Sequence, residues 1–352
     1  MKKTFLMFGA AALLFAACSS DEAVQVNKGS EISFRANLAK ETRAADMTLN
    51  NLSEFNVTAI NATASTTFFS NQTFTRLLGG NTYTHVGDKI WWPETDALNF
   101  YAYAPTSSAQ YQYVDYKTFN VTPSTNVDAQ LDLIYANTNG KTQEADKNGV
   151  ALNFRHTESK IQVKVYNSEK NVTVQVSGWK IAHVSPAAKF AYINNNTDVK
   201  NFTTLSFESW TNWADATEAT QYIADNTTLF FEGVQETPVA MDKQMILVPQ
   251  QLQGFTPKEQ GIQELDGSYI AVKILVKNKA DGTVLYGGTE GKWCLWPIST
   301  KWEPGKLYTY VIDVCKGYNE EKDPILNEIK FVDVTIDDWD AQPEINLGAS
   351  NL

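Results

Sequence analysis

The sequence predicts an all-β protein, built as two β-sandwich domains in tandem. Short runs of alternating apolar and polar residues recur along the chain, turn-forming residues separate them, and no strand–helix–strand rhythm is present. The chain has 352 residues, long enough for two domains, and 43% of them are hydrophobic, enough for real cores.

The net charge of the chain limits the classes of partner that we expect. The formal net charge is -11 at pH 7 and the isoelectric point is about 4.9. A nucleic-acid partner requires a basic face, so we expect none. An acidic balance of this size suits a soluble domain displayed at a surface.

Residues 1–17 are predicted to be a lipoprotein signal peptide, since two lysines precede an apolar run too short to span a bilayer. Residues 14–18 resemble a bacterial lipobox, although Phe15 departs from the usual pattern. We expect cleavage before Cys18 and acylation of its thiol, which would hold the protein at the outer membrane. The acidic residues 19–22 resemble tags that direct lipoproteins to the cell surface. An ordinary signal peptide followed by an incidental cysteine is the alternative.

Residues 18–43 are predicted to be a propeptide that contains one placeholder strand. Its apolar residues alternate with polar ones, which is typical of a half-buried strand. A single basic residue in a small polar segment follows, so the Arg43–Ala44 bond is a candidate site for an arginine-specific protease. Cutting there would release the strand and leave a sheet edge open to a strand from a second molecule. The apolar face of the strand consists of Ile32, Phe34, Ala36 and Leu38.

The N-terminal domain is predicted over residues 44–148. Its strands are expected at about 55–59, 98–104 and 131–136, with a hairpin near 66–74 and a Gly-Gly-Asn turn at 79–81. The polar, glycine-containing segment 137–148 is the expected boundary.

The C-terminal domain is predicted over residues 149–352. Residues 186–240 are rich in Asn and Thr and are interpreted as long loops with one short helix near 213–222. The last strand, within about 328–352, changes parity between Ile329 and Phe331 on one face and Val332, Val334 and Ile336 on the other, which indicates either a β-bulge or two successive short strands. Other strands are expected at 161–165, 172–176, 245–249, 269–276, 283–286 and 307–314.

Catalytic and metal-binding patterns were sought without result, so we predict no enzyme, no cofactor and no metal site. The three histidines lie in separate contexts, and no zinc-protease, nucleophile-elbow, P-loop or dinucleotide motif occurs. Cys294 and Cys315 are compatible with either a disulfide or a free buried pair in an exported protein. The aromatic residues at 111–119 are typical of core and cross-strand pairs, and sugar stacking is the alternative.

The chain resembles the fimbrillin family, the FimA-like and Mfa-like pilins of type V pili, over nearly its whole length. The order and spacing of several stretches carry the resemblance: the lipobox at Cys18, Thr42-Arg43-Ala44, IWWPETDALNFYAYAP at 90–105, LNFRHTESKIQVKV at 152–165, LVPQ at 247–250, WEPGKLYTYVIDV at 302–314 and VTIDDW at 334–339.

This resemblance implies two transthyretin-like β-sandwich domains and a structural subunit of a cell-surface fimbrium that supports adhesion. It implies export as a lipoprotein, cutting after Arg43, and polymerisation in which a neighbour's C-terminal strand from about 328–352 replaces the placeholder. The partners would be other pilin subunits. The alternatives are an uncleaved surface lipoprotein that acts as pilus anchor or tip, or a glycan-binding surface protein.

Overall fold

The structure, a computed structural model, describes residues 29–38, 47–193, 205–256, 266–325 and 333–339. In these ranges the chain is very largely β-strand, which confirms the all-β prediction. The division into two transthyretin-like sandwiches stays a prediction. The helical elements of the described ranges are a four-residue helix, α1 (Gln143–Asp146), and two 3-10 turns, Val127–Ala129 and Phe207–Ser209.

Ten strands form the first part of the fold, and eight of them make one sheet. They are β1 (Phe34–Asn37), β2 (Glu54–Asn61), β3 (Thr67–Arg76), β4 (Tyr83–His85), β5 (Leu98–Ala104), β6 (Tyr111–Asp115), β7 (Thr118–Val121), β8 (Ile134–Lys141), β9 (Val150–Asn153) and β10 (Arg155–His156). The sheet order is β10-β8-β5-β2-β3-β4-β1-β9. The two end strands are joined by Phe154 alone, so the sheet curls around a single apolar core.

Twelve strands follow. They are β11 (Ser159–Asn167), β12 (Val172–Ala182), β13 (Ala188–Ala191), β14 (Trp210–Thr211), β15 (Gln221–Glu232), β16 (Gln235–Ala240), β17 (Met245–Leu247), β18 (Tyr269–Asn278), β19 (Val284–Tyr286), β20 (Lys292–Pro297), β21 (Lys306–Asp313) and β22 (Asp333–Asp338). One sheet runs β16-β11-β21-β22 with β17 beside β11, and another runs β15-β12-β18-β19 with β20 beside β18. These two sheets enclose a second core, since β11, β12, β18 and β21 all contribute buried residues to it.

A fourth sheet, β14-β13-β7-β6, combines strands from both sides of the expected boundary at 148. Strands β9 and β10 also follow that boundary and belong to the first sheet, while β8 extends into the segment 137–148. The strands of the N-terminal sheets therefore reach past residue 148.

The loops and short helix expected within 186–240 are wrong for much of that segment. Residues 221–240 form the long strands β15 and β16 instead. Tyr222 and Ala224 face the core, whereas Ile223 between them and Asp225 after them are exposed, so the start of β15 alternates like a strand with one buried face. The Asn- and Thr-rich composition of this segment concealed the alternation of buried and exposed residues that is typical of a strand.

Candidate functional site

Strand β1 lies inside the first sheet rather than at its edge. It pairs in parallel with β9 over residues 34–37, and antiparallel with β4 where Phe34 faces Tyr83. Backbone bonds extend the seam with β9: the N–H groups of Val150 and Phe154 donate to the carbonyls of Ser33 and Asn37 at 2.8 and 2.9 Å. Removing β1 would therefore open the sheet between β4 and β9.

The inward face of this N-terminal segment is almost completely buried. Ile32, Phe34 and Ala36 have no exposed surface and Leu38 is 9% exposed. Arg35 and Asn37, between them, face solvent. This alternation follows from the pleat of a strand with one face on a core.

Phe34 is the centre of an aromatic cluster contributed by three other strands. Its ring lies edge-on to Phe74 at 4.7 Å and to Phe100 at 5.1 Å between centroids, and it approaches Phe55 at 6.0 Å. Edge-to-face pairs of this kind add to the stabilisation that burial alone gives. The N-terminal strand thus fills the middle of the core.

Strand β22 contrasts with β1 in almost every respect. It pairs antiparallel with β21 from Asp333 opposite Val311 to Asp338 opposite Lys306, at the end of its sheet. Residues 334–338 are all exposed, including the apolar Val334 at 37% and Ile336 at 52%. Backbone pairing and the Lys306–Asp338 ion pair hold this strand, with little side-chain burial before Trp339.

Trp339, directly after β22, is buried and stacks on His156. The rings are 4.1 Å apart and 7° from parallel, and the Lys160 ammonium lies 5.2 Å from the indole centroid. Its backbone N–H donates to Gly305. Sequence reasoning treated His156 only as an isolated histidine, because nothing local indicates a partner so distant in the chain.

Behind His156 lies a buried acidic pair. Asp132 Oδ2 is 2.6 Å from His156 Nδ1 and also accepts the Met47 N–H at 3.2 Å. Glu158 accepts the Leu133 N–H, and burial raises its carboxyl pKa to about 8. Asp132 thus contacts two groups: the backbone of Met47, shortly after the Arg43–Ala44 bond, and the imidazole of His156, on which Trp339 rests.

Several predicted site residues lie outside the described residues. The lipidation site is one of them, and the cleavage bond and the first half of the expected donor strand are the others. These residues are Cys18, Arg43, Ala44, Ile329, Phe331 and Val332.

The two described cysteines are buried and free, so of the two arrangements left open, this structure has the reduced pair. Burial raises the thiol pKa of Cys294 well above its ordinary value and that of Cys315 to about 12. Each thiol therefore stays protonated in the folded protein.

The aromatic residues considered for sugar stacking pack inward. Phe119 is fully buried and its ring contacts Tyr111 and Tyr113 edge-on at 5.7 Å, while Tyr101 lies 4.7 Å from Tyr116. These contacts join the four-stranded sheet to the outer face of the first sheet. This region is a core.

Among the described residues, no three histidines, cysteines or carboxylates cluster in a way that could hold a metal ion. No helix in the described part of the chain is both long enough and apolar enough to cross a bilayer.

The fold defines the class of protein: an all-β protein. Its strand β1 lies inside one sheet, and its strand β22 lies at the edge of another. The chain belongs to the fimbrillin-like family, whose model matches residues 42–339.

One solved structure shares this fold. A fimbrial protein from Bacteroides vulgatus ATCC 8482 is 16% identical, with 87% of this chain and 99% of that chain covered and a TM-score of 0.55. A proposed cell adhesion protein from Bacteroides ovatus ATCC 8483 is 15% identical, with 90% and 99% covered and a TM-score of 0.48. The comparison with curated protein sequences found no match.

Proposed function

We propose that this protein is a structural pilus subunit, exported as a lipoprotein precursor and polymerised by donor-strand exchange after cleavage at Arg43. Ile32, Phe34, Ala36 and Leu38 are the placeholder residues. The observation that carries the proposal is the position of β1: a strand at the N-terminal end of the chain completes a sheet from within. The role is mechanical, with no catalytic step.

Loss of β1 would uncover backbone groups on both seams. Ser33 and Asn37 accept from the β9 side, and on the other side Ile32 donates to Ile90 and Ser30 accepts from Trp92. An open seam with an apolar floor is a strong template for strand addition, because the backbone supplies affinity and the pockets select side chains. The floor would be the faces of Phe74 and Phe100 that Phe34 now covers.

The C-terminal segment is the proposed donor. Val334 and Ile336 present apolar side chains to solvent on a terminal strand, so β22 exchanges little side-chain burial when it leaves β21. The remainder of the proposed donor face is Ile329, Phe331 and Val332. In a neighbouring subunit Val334 and Ile336 would gain the burial that they lack on β22.

Lipidation and cleavage would act in sequence. Acylation of Cys18 delivers the precursor to the outer membrane, and cutting between Arg43 and Ala44 by an arginine-specific protease separates the lipid and β1 from the rest. The family match begins at residue 42, beside the proposed cut.

The test is cleavage of the purified precursor by an arginine-specific protease. We expect a product that begins at Ala44 and forms polymers, while Arg43→Ala stays monomeric under the same treatment. Arg35→Ala, which removes an exposed arginine within β1, is the matched control and should polymerise like the wild type. A product that begins at Ala44 and stays monomeric would refute the proposal. Surface protein that still begins at acylated Cys18 would favour the pilus-anchor or tip role instead.

A further inference from the structure

Trp339 closes the C-terminal strand against the body of the protein. It is 8% exposed, whereas residues 334–338 before it are all exposed. Within the described residues its indole N–H has no acceptor, so the ring is held by its faces and its burial rather than by a hydrogen bond. A single buried ring at the end of an exposed strand has the form of a latch.

The surface beneath Trp339 is built to stay in place. His156 is 3% exposed, and its Nδ1 atom is 2.6 Å from Asp132 Oδ2, which fixes the plane of the imidazole. Lys160 is also 3% exposed and places its ammonium 5.2 Å from the indole centroid. A cation near an indole ring gains more when it is shielded from water.

These contacts join elements that lie far apart in the sequence. His156 belongs to β10 of the first sheet, Lys160 belongs to β11, and Trp339 follows β22. The backbone N–H of Trp339 also donates to the carbonyl of Gly305, and the backbone N–H of Gly305 donates to the carbonyl of Glu158 at 2.8 Å. Removal of Trp339 from this position would therefore break, in one step, the contacts that hold the end of β22 to the first sheet and to the turn before β21.

We infer that Trp339, seated on His156 and Lys160, is a latch that retains the C-terminal strand in its own subunit and so limits the rate at which it is donated to another. The regulatory part of this inference rests on the proposed strand exchange. The retention itself does not, because it concerns the monomeric precursor.

Retention is tested by amide hydrogen exchange in the uncut precursor. Trp339→Ala should raise exchange of residues 333–338 by at least about tenfold, and His156→Ala should act in the same direction. The double variant should exceed Trp339→Ala by little, because both remove one contact. Exchange of residues 333–338 in Trp339→Phe should lie between that of the wild type and that of Trp339→Ala, since phenylalanine keeps an aromatic face. Ile336→Ala, on the same strand but 52% exposed, is the matched control and should resemble the wild type.

Two results would overturn retention: unchanged exchange of residues 333–338 in Trp339→Ala, or an equal rise throughout β11, β16 and β21. The second would mark general destabilisation of the sheet.

The rate is tested by cleaving His156→Ala and wild-type precursors and following polymer growth. His156 lies outside the proposed donor segment, so its substitution leaves the donor side chains intact. We expect faster growth in the variant, and equal rates would refute the regulatory part. If neither precursor polymerises while residues 333–338 still exchange faster in the variant, the proposed strand exchange fails and the latch stands.

Discussion

Replacing Phe34 by Ala should weaken the precursor and leave the polymer unchanged. The ring is fully buried and meets Phe74, Phe100 and Phe55 at 4.7, 5.1 and 6.0 Å. Loss of a phenyl group from such a site costs about 3–5 kcal/mol of unfolding free energy, including the cavity left behind. Since Phe34 lies before the proposed cut, the substitution is discarded with the propeptide.

The matched variant is Phe74→Ala, which removes the partner ring from the permanent strand β3. Urea denaturation of the uncut precursors should show a similar loss for both variants. After cleavage, polymers from Phe34→Ala should match the wild type in mass and melting temperature, and those from Phe74→Ala should melt lower. If Phe34→Ala still weakens the polymer, then β1 is not discarded, and the placeholder reasoning fails.

Three further predictions concern the second core and the buried acid. In the folded protein neither Cys294 nor Cys315 should react with iodoacetamide at neutral pH, because burial raises both thiol pKa values; mass spectrometry before and after denaturation checks this. Gly317→Ala should cost about 1–3 kcal/mol in urea denaturation, since a Cβ would meet the Cys294 sulfur at 2.5 Å. The folded pKa of Glu158 lies near 8, above its unfolded value, so its contribution is fully present below the unfolded pKa and is lost as pH rises towards 8. Glu158→Gln should remove up to about 1.4 kcal/mol per pH unit of that loss in urea titrations across this range.

Strand β1 was predictable as a strand because its evidence is local. Ile32, Phe34, Ala36 and Leu38 recur with a period of two, which is sufficient to define a half-buried strand whatever its partners are. The parallel pairing with β9 was not predictable, since it joins Phe34 to Val150 across more than a hundred residues. Register depends on tertiary contacts that a short pattern does not contain.

The latch was missed for the same reason. His156 and Trp339 each have ordinary neighbours in the sequence, and only the meeting of β10 with the end of β22 makes them a stacked pair. Strands β15 and β16 were missed differently: residues 186–240 are rich in Asn and Thr, and this composition outweighed the weak alternation of Tyr222 and Ala224. Periodicity was the better signal at the start of β15, whereas β16 has no buried residue to mark it.

Strands β1 and β22 are held by different kinds of interaction, and this difference determines the order of the proposed events. Strand β1 has a short parallel seam, a pairing slightly weaker per residue than an antiparallel one, but its apolar side chains fill a core. Strand β22 has an antiparallel seam and almost no buried side chains before Trp339. Spontaneous departure of β1 would expose that core and is strongly disfavoured, whereas β22 would lose only edge hydrogen bonds, the Lys306–Asp338 ion pair and one buried ring. In the proposed assembly, cleavage would therefore come before strand donation, and Asp132, which contacts both Met47 and His156, lies where the two ends meet.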